Sequence, residues 1–537
     1  MRQIFIAFSL ITLILIVGLV SLLDPWYGLL FIVWLPVVII GLADMVQKEN
    51  VIKRNFPVVG RLRFLMEELR PKVHQYFVET DLNGRPFNRL DREIVYNRAN
   101  GSLDTNPFGT QLDTYQEGYE WMHHSIGAVD SHKLNPHPRV RIGGPDCKQP
   151  YDASILNVSA MSYGSLSKNA VLALNGGARL GHFAQNTGEG GISQHHLEKQ
   201  GDLIYQIGTG YFGARSEDGH FNEAEFEKRA LLPTVKMIEI KLSQGAKPGH
   251  GGILPAKKNN EEIAAIRGVQ AFTEVLSPPY HSAFKTPMEL MQFIAQLREK
   301  SKGKPIGIKL CVGHRREVIA LCKAMKRSGI APDFIAVDGA EGGTGAAPLE
   351  FSNSVGRPLK EGLATVHDCL NGFDLRDQIK LIASGKITTG FDMFRAFAIG
   401  ADICYSARAM MLALGCIQAL QCNSNKCPTG ITTHKPSLTV GLVPEDKATK
   451  IAHFHKETVQ SFIELLAAAG LRNHQQIDRS FIHRRLNVYE SKSLADIMPP
   501  LAKGALLEPS NIPENWREDL FQSSEDSFLP NGILQQG

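Results

Sequence analysis

Residues Ile379 to Gly430 read IKLIASGKITTGFDMFRAFAIGADICYSARAMMLALGCIQALQCNSNKCPTG, and their pattern decides the fold. An apolar run, Ile379–Ala383, ends in Ser384-Gly385-Lys386. A helical pattern over Phe391–Ile399 comes next, then a second apolar run, Ala401–Tyr405, ending in Ser406-Ala407-Arg408. Strand, glycine turn, helix and strand form a βαβ unit, which requires a parallel sheet. Small residues and a cation at two neighbouring strand ends suit a phosphate, held by backbone N–H groups and a helix N-terminus. The candidate contacts are Gly385, Lys386, Ser406, Ala407 and Arg408.

Upstream, from Ala153, the same rhythm repeats. Short apolar runs end in small or polar residues and alternate with helical stretches: Ile155–Ala160, His182–Gln185, Leu203–Gln206, Met237–Lys241, Ile306–Leu310 and Phe334–Val337. With the two runs above, that makes eight strand candidates. Eight βα units predict an α/β fold, a TIM (β/α)8 barrel with its site at the C-terminal strand ends. The alternative is an open doubly wound sheet, weakened because no GxGxxG comes after the first strand.

On a barrel, the loops at the C-terminal strand ends converge on one mouth. The first run brings Ala160, Met161 and Ser162, the second Asn186 and Glu189, the third Gln206. The fourth brings Lys241, Gln244 and Lys247 within IKLSQGAKPGHGG, the fifth Lys309, and the sixth Gly343 and Gly345. Glycines let backbone approach a ring and a phosphate closely. A lysine near the N1 edge of a flavin would stabilise the reduced anion, which makes Lys309 a candidate. Gln244, Lys247 and Arg267 suit a dicarboxylate through charge-assisted hydrogen bonds. The competing reading of each lysine is a solvated surface charge, and of each glycine run an ordinary turn.

Cys416, Cys422 and Cys427 have spacing C-x5-C-x4-C. Structural zinc normally takes four ligands, often from CxxC pairs. Three thiols without a nearby fourth better suit an iron–sulfur cluster lacking one iron, with three reduced structural cysteines as the alternative. Eight cysteines in 537 residues make no disulfide framework. Cys311, Cys322, Cys369 and Cys404 lie in apolar patterns and read as reduced core residues. His195, His196, His453 and His455 read as surface or hydrogen-bonding side chains. A formal charge of +4, from dispersed basic residues, gives no case for nucleic-acid binding.

The N-terminus differs. Ile4–Leu23 and Trp26–Met45 are apolar runs separated by a turn, each long enough to cross a bilayer. Lys48, Lys53, Arg54, Arg61 and Arg63 come after the second. The positive-inside rule predicts a transmembrane hairpin with both ends, and the catalytic domain, on the cytoplasmic side. A signal peptide is the rival reading, with a shorter, single apolar core. Residues 46–150 read as a linking arm, with helical patterns near Val58–Tyr76 and Tyr115–Ser125 and no catalytic pattern. The expected organisation is therefore two transmembrane helices (1–45), the arm (46–150), the barrel with its cysteine loop (151–433), and a helical extension with a polar tail (434–537), helical over Lys447–Ala468.

From Asn157 to Thr433 the chain resembles the FMN-binding domain of glutamate synthase. The motifs are SAMSYGSLS, NTGEGG, EIKLSQGAKPGHGGILP, DGAEGGTGAAP, SGKITTG and LGCIQALQCNSNKCPTG. The resemblance implies FMN in the barrel and a 3Fe-4S cluster on Cys416, Cys422 and Cys427. It implies reduction of 2-iminoglutarate, formed from 2-oxoglutarate and ammonia, to L-glutamate. It also places Gln244, Lys247, Glu189 and Arg267 around 2-oxoglutarate, with Glu189, Lys247 and Gln244 as catalytic candidates. The family's PGEGG is PGHGG here, with His250. The glutaminase domain of full-length glutamate synthase is replaced by the hairpin, so ammonia is expected from another source. The electron donor expected is a ferredoxin-like protein, a reductase subunit or a quinone, beside membrane lipid. The alternative function keeps the cofactors but oxidises another amino or hydroxy acid, with quinone as electron partner. A non-catalytic membrane scaffold is a third reading, opposed by the intact cysteine loop and lysines.

Overall fold

The computed structural model describes residues 1–530. The chain divides into two compact units, Met1–Leu90 and the remainder from Asp91.

In the first unit, helices Arg2–Leu22 and Phe31–Val46 flank a 3-10 turn, Pro25–Leu30. Asp24 starts that turn by accepting the Trp26 N–H. Arg2–Leu22 and Pro25–Val46 are both long and apolar enough to cross a membrane. The two helices touch: Trp34 Nε1 donates to Thr12 Oγ1 (2.8 Å), and the Phe5 ring lies where a Cβ on Gly41 would stand. The helical pattern expected near Val58–Tyr76 is present as Gly60–Val73.

The second unit contains a closed barrel of eight parallel strands. In chain order they are β1 (Leu156–Val158), β2 (Ala184–Asn186), β3 (Asp202–Ile207), β4 (Val235–Lys241), β5 (Ile306–Leu310), β6 (Phe334–Asp338), β7 (Lys380–Ser384) and β8 (Ile403–Ser406). All eight expected strands are present. Cys404, Tyr405 and Ser406 pair with Leu156, Asn157 and Val158, which closes the ring and excludes the open sheet. The strands read as continuous apolar runs because side chains and helices cover both faces; all five residues of β5 are buried.

Helix Pro444–Ala468 occupies the place of the eighth barrel helix. It lies against helix Lys168–Gly181, where a Cβ on Gly177 would stand 2.4 Å from Ile451 Cγ2. On its other side Phe462 meets Phe397 of helix Gly390–Ile399, ring centroids 5.0 Å apart. Between β4 and helix Pro287–Lys300 the chain makes a long excursion. It carries a two-stranded ladder, Ile253–Leu254 with Val275–Leu276, and helix Glu261–Arg267.

The helix expected over Tyr115–Ser125 is not formed. Glu120–Met122 is instead a strand paired antiparallel with Ile482–Arg485. Gly118 at φ +87° interrupts any helix, and Trp121 gains ring contacts with Tyr119 and His483 that only the extended form offers.

Candidate active site

The strand order delivers most of the candidate residues to one rim. Asn186, Lys241 and Ser406 end β2, β4 and β8; Gln206 and Lys309 sit one residue before the ends of β3 and β5. Ala160–Ser162, Glu189, Gly343, Gly345, Gly385, Lys386, Ala407 and Arg408 lie in the adjoining loops or at their helix starts. Gln244 and Lys247 open the excursion, and Arg267 ends its short helix.

Four charged groups meet at the mouth. Lys241 Nζ lies 3.0 Å from Glu189 Oε1 and donates to Gln244 Oε1 at 2.6 Å. Glu189 is wedged between two glycines: a Cβ on Gly252 would stand 2.5 Å from its Oε1, and one on Gly208 2.7 Å from its Oε2. Burial pushes the Glu189 carboxyl up, but Lys241, Lys247 and Arg267 together outweigh it and hold the group below the usual range. Lys247 is 4% exposed and donates to the Ala346 carbonyl (2.9 Å). Its burial, reinforced by Lys241 and opposed by Glu189, brings it down to about 8. Arg267 is equally buried, stacks over Phe212 (4.9 Å) and reaches Ser162 Oγ and the Tyr163 carbonyl. Its Nε has no hydrogen-bond partner among the described residues. Three cations around one carboxylate leave two positive charges facing the mouth, which suits a dianion.

The far side of the rim is polar. Asp338 accepts from Ser384 Oγ (2.7 Å) and from the Gly245 N–H (2.7 Å), and lies 3.8 Å from Lys309 Nζ. Arg408 donates to the Glu341 carbonyl, and its side chain fills the space a Cβ on Gly343 would take. Burial lowers Arg408 to about 10 against the pull of Asp338 and Glu341. Ser406 Oγ donates to the Ile387 carbonyl (2.7 Å), tying together the loops after β7 and β8.

The cysteine loop is bound to the loop after β1. Lys258, 3% exposed, donates to the carbonyls of Ser165 (2.6 Å) and Cys422 (3.2 Å). His434 Nε2 lies 2.8 Å from the Gly164 carbonyl. Cys416 Sγ accepts from the Gln418 N–H, and Cys427 Sγ lies 3.3 Å from Thr429 Oγ1. Burial raises all three thiols. It takes Cys416 to about 11, whereas hydroxyl and N–H donors from Thr429 and Thr432 bring Cys427 below its ordinary value. Among the described residues no three metal-ligating side chains are grouped to hold a single ion.

The family model for the conserved region in glutamate synthase matches residues 110–472. The glutamate synthase large subunit-like protein YerD of Bacillus subtilis is 36% identical over 82% of this chain and 92% of its own length. This chain belongs to the glutamate synthase family. It is an oxidoreductase acting on amino donors. The archaeal glutamate synthase [NADPH] of Methanocaldococcus jannaschii is 35% identical, over 60% of each chain. The glutamate synthase [NADPH] large chain of B. subtilis is 33% identical over 59% of this chain but only 20% of its own length.

Two residues of this family member carry no signal in the sequence. Glu239, in the middle of β4, is wholly buried, and its Oε1 accepts from Asn186 Nδ2 (2.8 Å) and Gln206 Nε2 (2.6 Å). It fixes the amides of two rim residues. Lys258 stands beside exposed Lys257 in a run that reads as solvated charge. Nothing local distinguishes the two lysines; only the fold buries one. The histidines are surface or hydrogen-bonding groups, as expected: His195 bonds to Glu262 (2.7 Å), His196 to Ser193, His455 to Ser154 and the Leu156 carbonyl, while His453 is exposed.

Proposed function

We propose that this protein reduces 2-iminoglutarate, formed from 2-oxoglutarate and ammonia, to L-glutamate. The observation that carries the reading is the mouth cluster of Lys241, Lys247, Arg267 and Glu189, whose surplus of two positive charges matches a dicarboxylate. FMN would be held by Ala160–Ser162, Asn186, Gln206, Lys241, Lys309, Gly343 and Gly345, with its phosphate at Gly385, Lys386 and Ser406–Arg408. When bound, it supplies hydride transfer, and a 3Fe-4S cluster on Cys416, Cys422 and Cys427 supplies single electrons from a donor protein or a quinone. Lys247 and Arg267 clamp the carboxylates, and Gln244, held by Lys241, orients the substrate. Glu189, kept ionised, accepts hydrogen bonds from the iminium N–H and favours that cation over the neutral imine. Lys247, near 8, carries a proton that neutral solution can restore.

The two apolar helices anchor the enzyme in the membrane with the barrel on the cytoplasmic side. Residues 1–45 form that anchor, 46–150 an arm, 151–433 the barrel and cysteine loop, and 434–537 the extension. The same helices favour one second reading, oxidation of another amino or hydroxy acid with quinone as acceptor. The test is anaerobic: the reduced, detergent-solubilised protein is mixed with 2-oxoglutarate and ammonium, together and singly, while flavin absorbance is recorded. Reoxidation only with both, with glutamate formed, supports the synthase. Failure with both, in protein that carries flavin and is reoxidised by a quinone analogue, supports the second reading. Protein isolated without flavin or iron overturns both.

A further inference from the structure

Helix Gly60–Val73, fourteen residues in the first unit, carries an apolar stripe that is exposed along most of its length. At about 100° per residue, Leu62, Leu65, Met66, Leu69 and Val73 fall within an arc of about 100°. Leu62, Leu65, Met66 and Val73 are 55%, 49%, 51% and 47% exposed. Cations border the stripe on both sides: Arg63 and Arg70 along one edge, Arg61 and Lys72 along the other. Glu67 lies on the opposite face and accepts from Arg63 Nε (3.0 Å), and Glu68 stands beyond Arg61, about as far from the stripe as Arg63. Phe64 points to the opposite face, where Lys53 stands 5.0 Å from its ring. The polar side of the helix thus faces the preceding segment, and the apolar side faces outward. Exposed Tyr76 and Phe77 continue the apolar surface beyond the helix.

The corner that leads into this helix is fixed. Asp44, near the end of the second apolar stretch, is 1% exposed and accepts from both Nε and Nη2 of Arg61 (2.9 and 2.7 Å). Its Oδ2 also accepts the Val58 N–H (3.1 Å), which holds a β-branched residue at φ +63°. Such a corner gives the helix a set direction relative to the stretch before it.

We propose that Gly60–Val73 lies in the plane of an anionic bilayer surface, its leucine stripe among the upper acyl chains and Arg63, Arg70 and Lys72 among the headgroups, while Arg61 stays with Asp44. This rests on the membrane anchoring proposed above. Two features commit the face to lipid. It continues directly from the apolar stretch that would span the bilayer. The segment from Lys48 to Val78 is also rich in lysine and arginine and poorer in acidic residues, the balance that draws a chain to anionic headgroups. Lys and Arg beside an apolar stripe bury their stems and keep the charge in the headgroup layer.

The test uses the full chain in nanodiscs of phosphatidylcholine and phosphatidylglycerol brominated high on the acyl chain. An environment-sensitive fluorescent amino acid is placed at Leu15, Leu65 or Glu67, one position per sample. The expected result is quenching at Leu15 and Leu65, a blue shift at Leu65, and neither at Glu67. Quenching at Leu65 is expected to weaken in phosphatidylcholine alone and after Arg63→Gln with Arg70→Gln. Quenching at Leu15 without quenching at Leu65 overturns the interfacial helix and leaves the anchor standing; a face reserved for a protein partner gives this outcome. No quenching at Leu15 overturns the anchor and the interfacial helix together. Leu65 quenching equal in both lipids overturns the anionic preference.

Discussion

Two buried glutamates of this barrel are shifted in opposite directions. Glu189 sits at the mouth among Lys241, Lys247 and Arg267 and is held ionised. Glu239 points from the same strand as Lys241, two residues before it, and is bonded by two neutral amides; burial raises its carboxyl and outweighs the attraction of Lys309. Both are deeply enclosed, so enclosure alone does not decide the charge. The neighbours decide the balance: three cations outweigh burial at Glu189, whereas at Glu239 Lys309 and the two amide donors favour the ionised form without outweighing burial.

The largest effect that would break this contrast is at the mouth. Glu189→Gln keeps the shape and removes the charge, so kcat/KM should fall by about 10²–10³-fold with 2-oxoglutarate and ammonium, read by steady-state kinetics. Lys247→Ala should raise KM for 2-oxoglutarate about 10–100-fold with a smaller change in kcat. The wild-type KM should also rise as pH climbs through about 8, where Lys247 loses its proton, and that rise should vanish in the variant. Glu239→Leu strands two buried amides and should cost about 2–4 kcal/mol, seen as a lower denaturation midpoint. Glu239→Gln, which still accepts both bonds, should stay within about 1 kcal/mol. A Glu239→Gln loss as large as that of Glu239→Leu would mean that the carboxylate's charge, not its two accepted bonds, carries the stability.

The smallest effect is the most discriminating, because the two groups shift stability with opposite sign. Glu239, raised in the fold, adds stability in full below its unfolded value near 4.5 and loses it as pH rises through its folded value. Glu189, lowered in the fold, adds stability above 4.5 and loses it as pH falls through its folded value. Midpoints of the two glutamine variants, measured against wild type across that range, should therefore diverge in opposite directions.

The mouth is legible in the sequence because each strand announces itself as an apolar run and hands its last polar residue to the rim. Lys241, Gln206 and Ser406 can be placed by counting. Glu239 cannot. Inside IEIKL it reads as one more alternating polar position, and only barrel closure shows that both faces of β4 are buried. Arg267 is a candidate by its charge alone, since the excursion that returns it to the mouth has no periodic signal. The failed helix at Tyr115–Ser125 has the same origin: its partner strand is more than three hundred residues away, and local pattern carries no trace of it.

The glycine seat at Gly177 has a consequence in time. The helix that fills it begins at Pro444, long after β1 has left the ribosome. At about 5–20 residues per second, β1 and the helix after it wait roughly 15–60 s for their last neighbour. Until then that flank, apolar and notched by two glycines, is open to the cell. A Gly177→Ala change would disturb a seat whose occupant arrives last, and its first symptom would be a nascent chain held longer by chaperones.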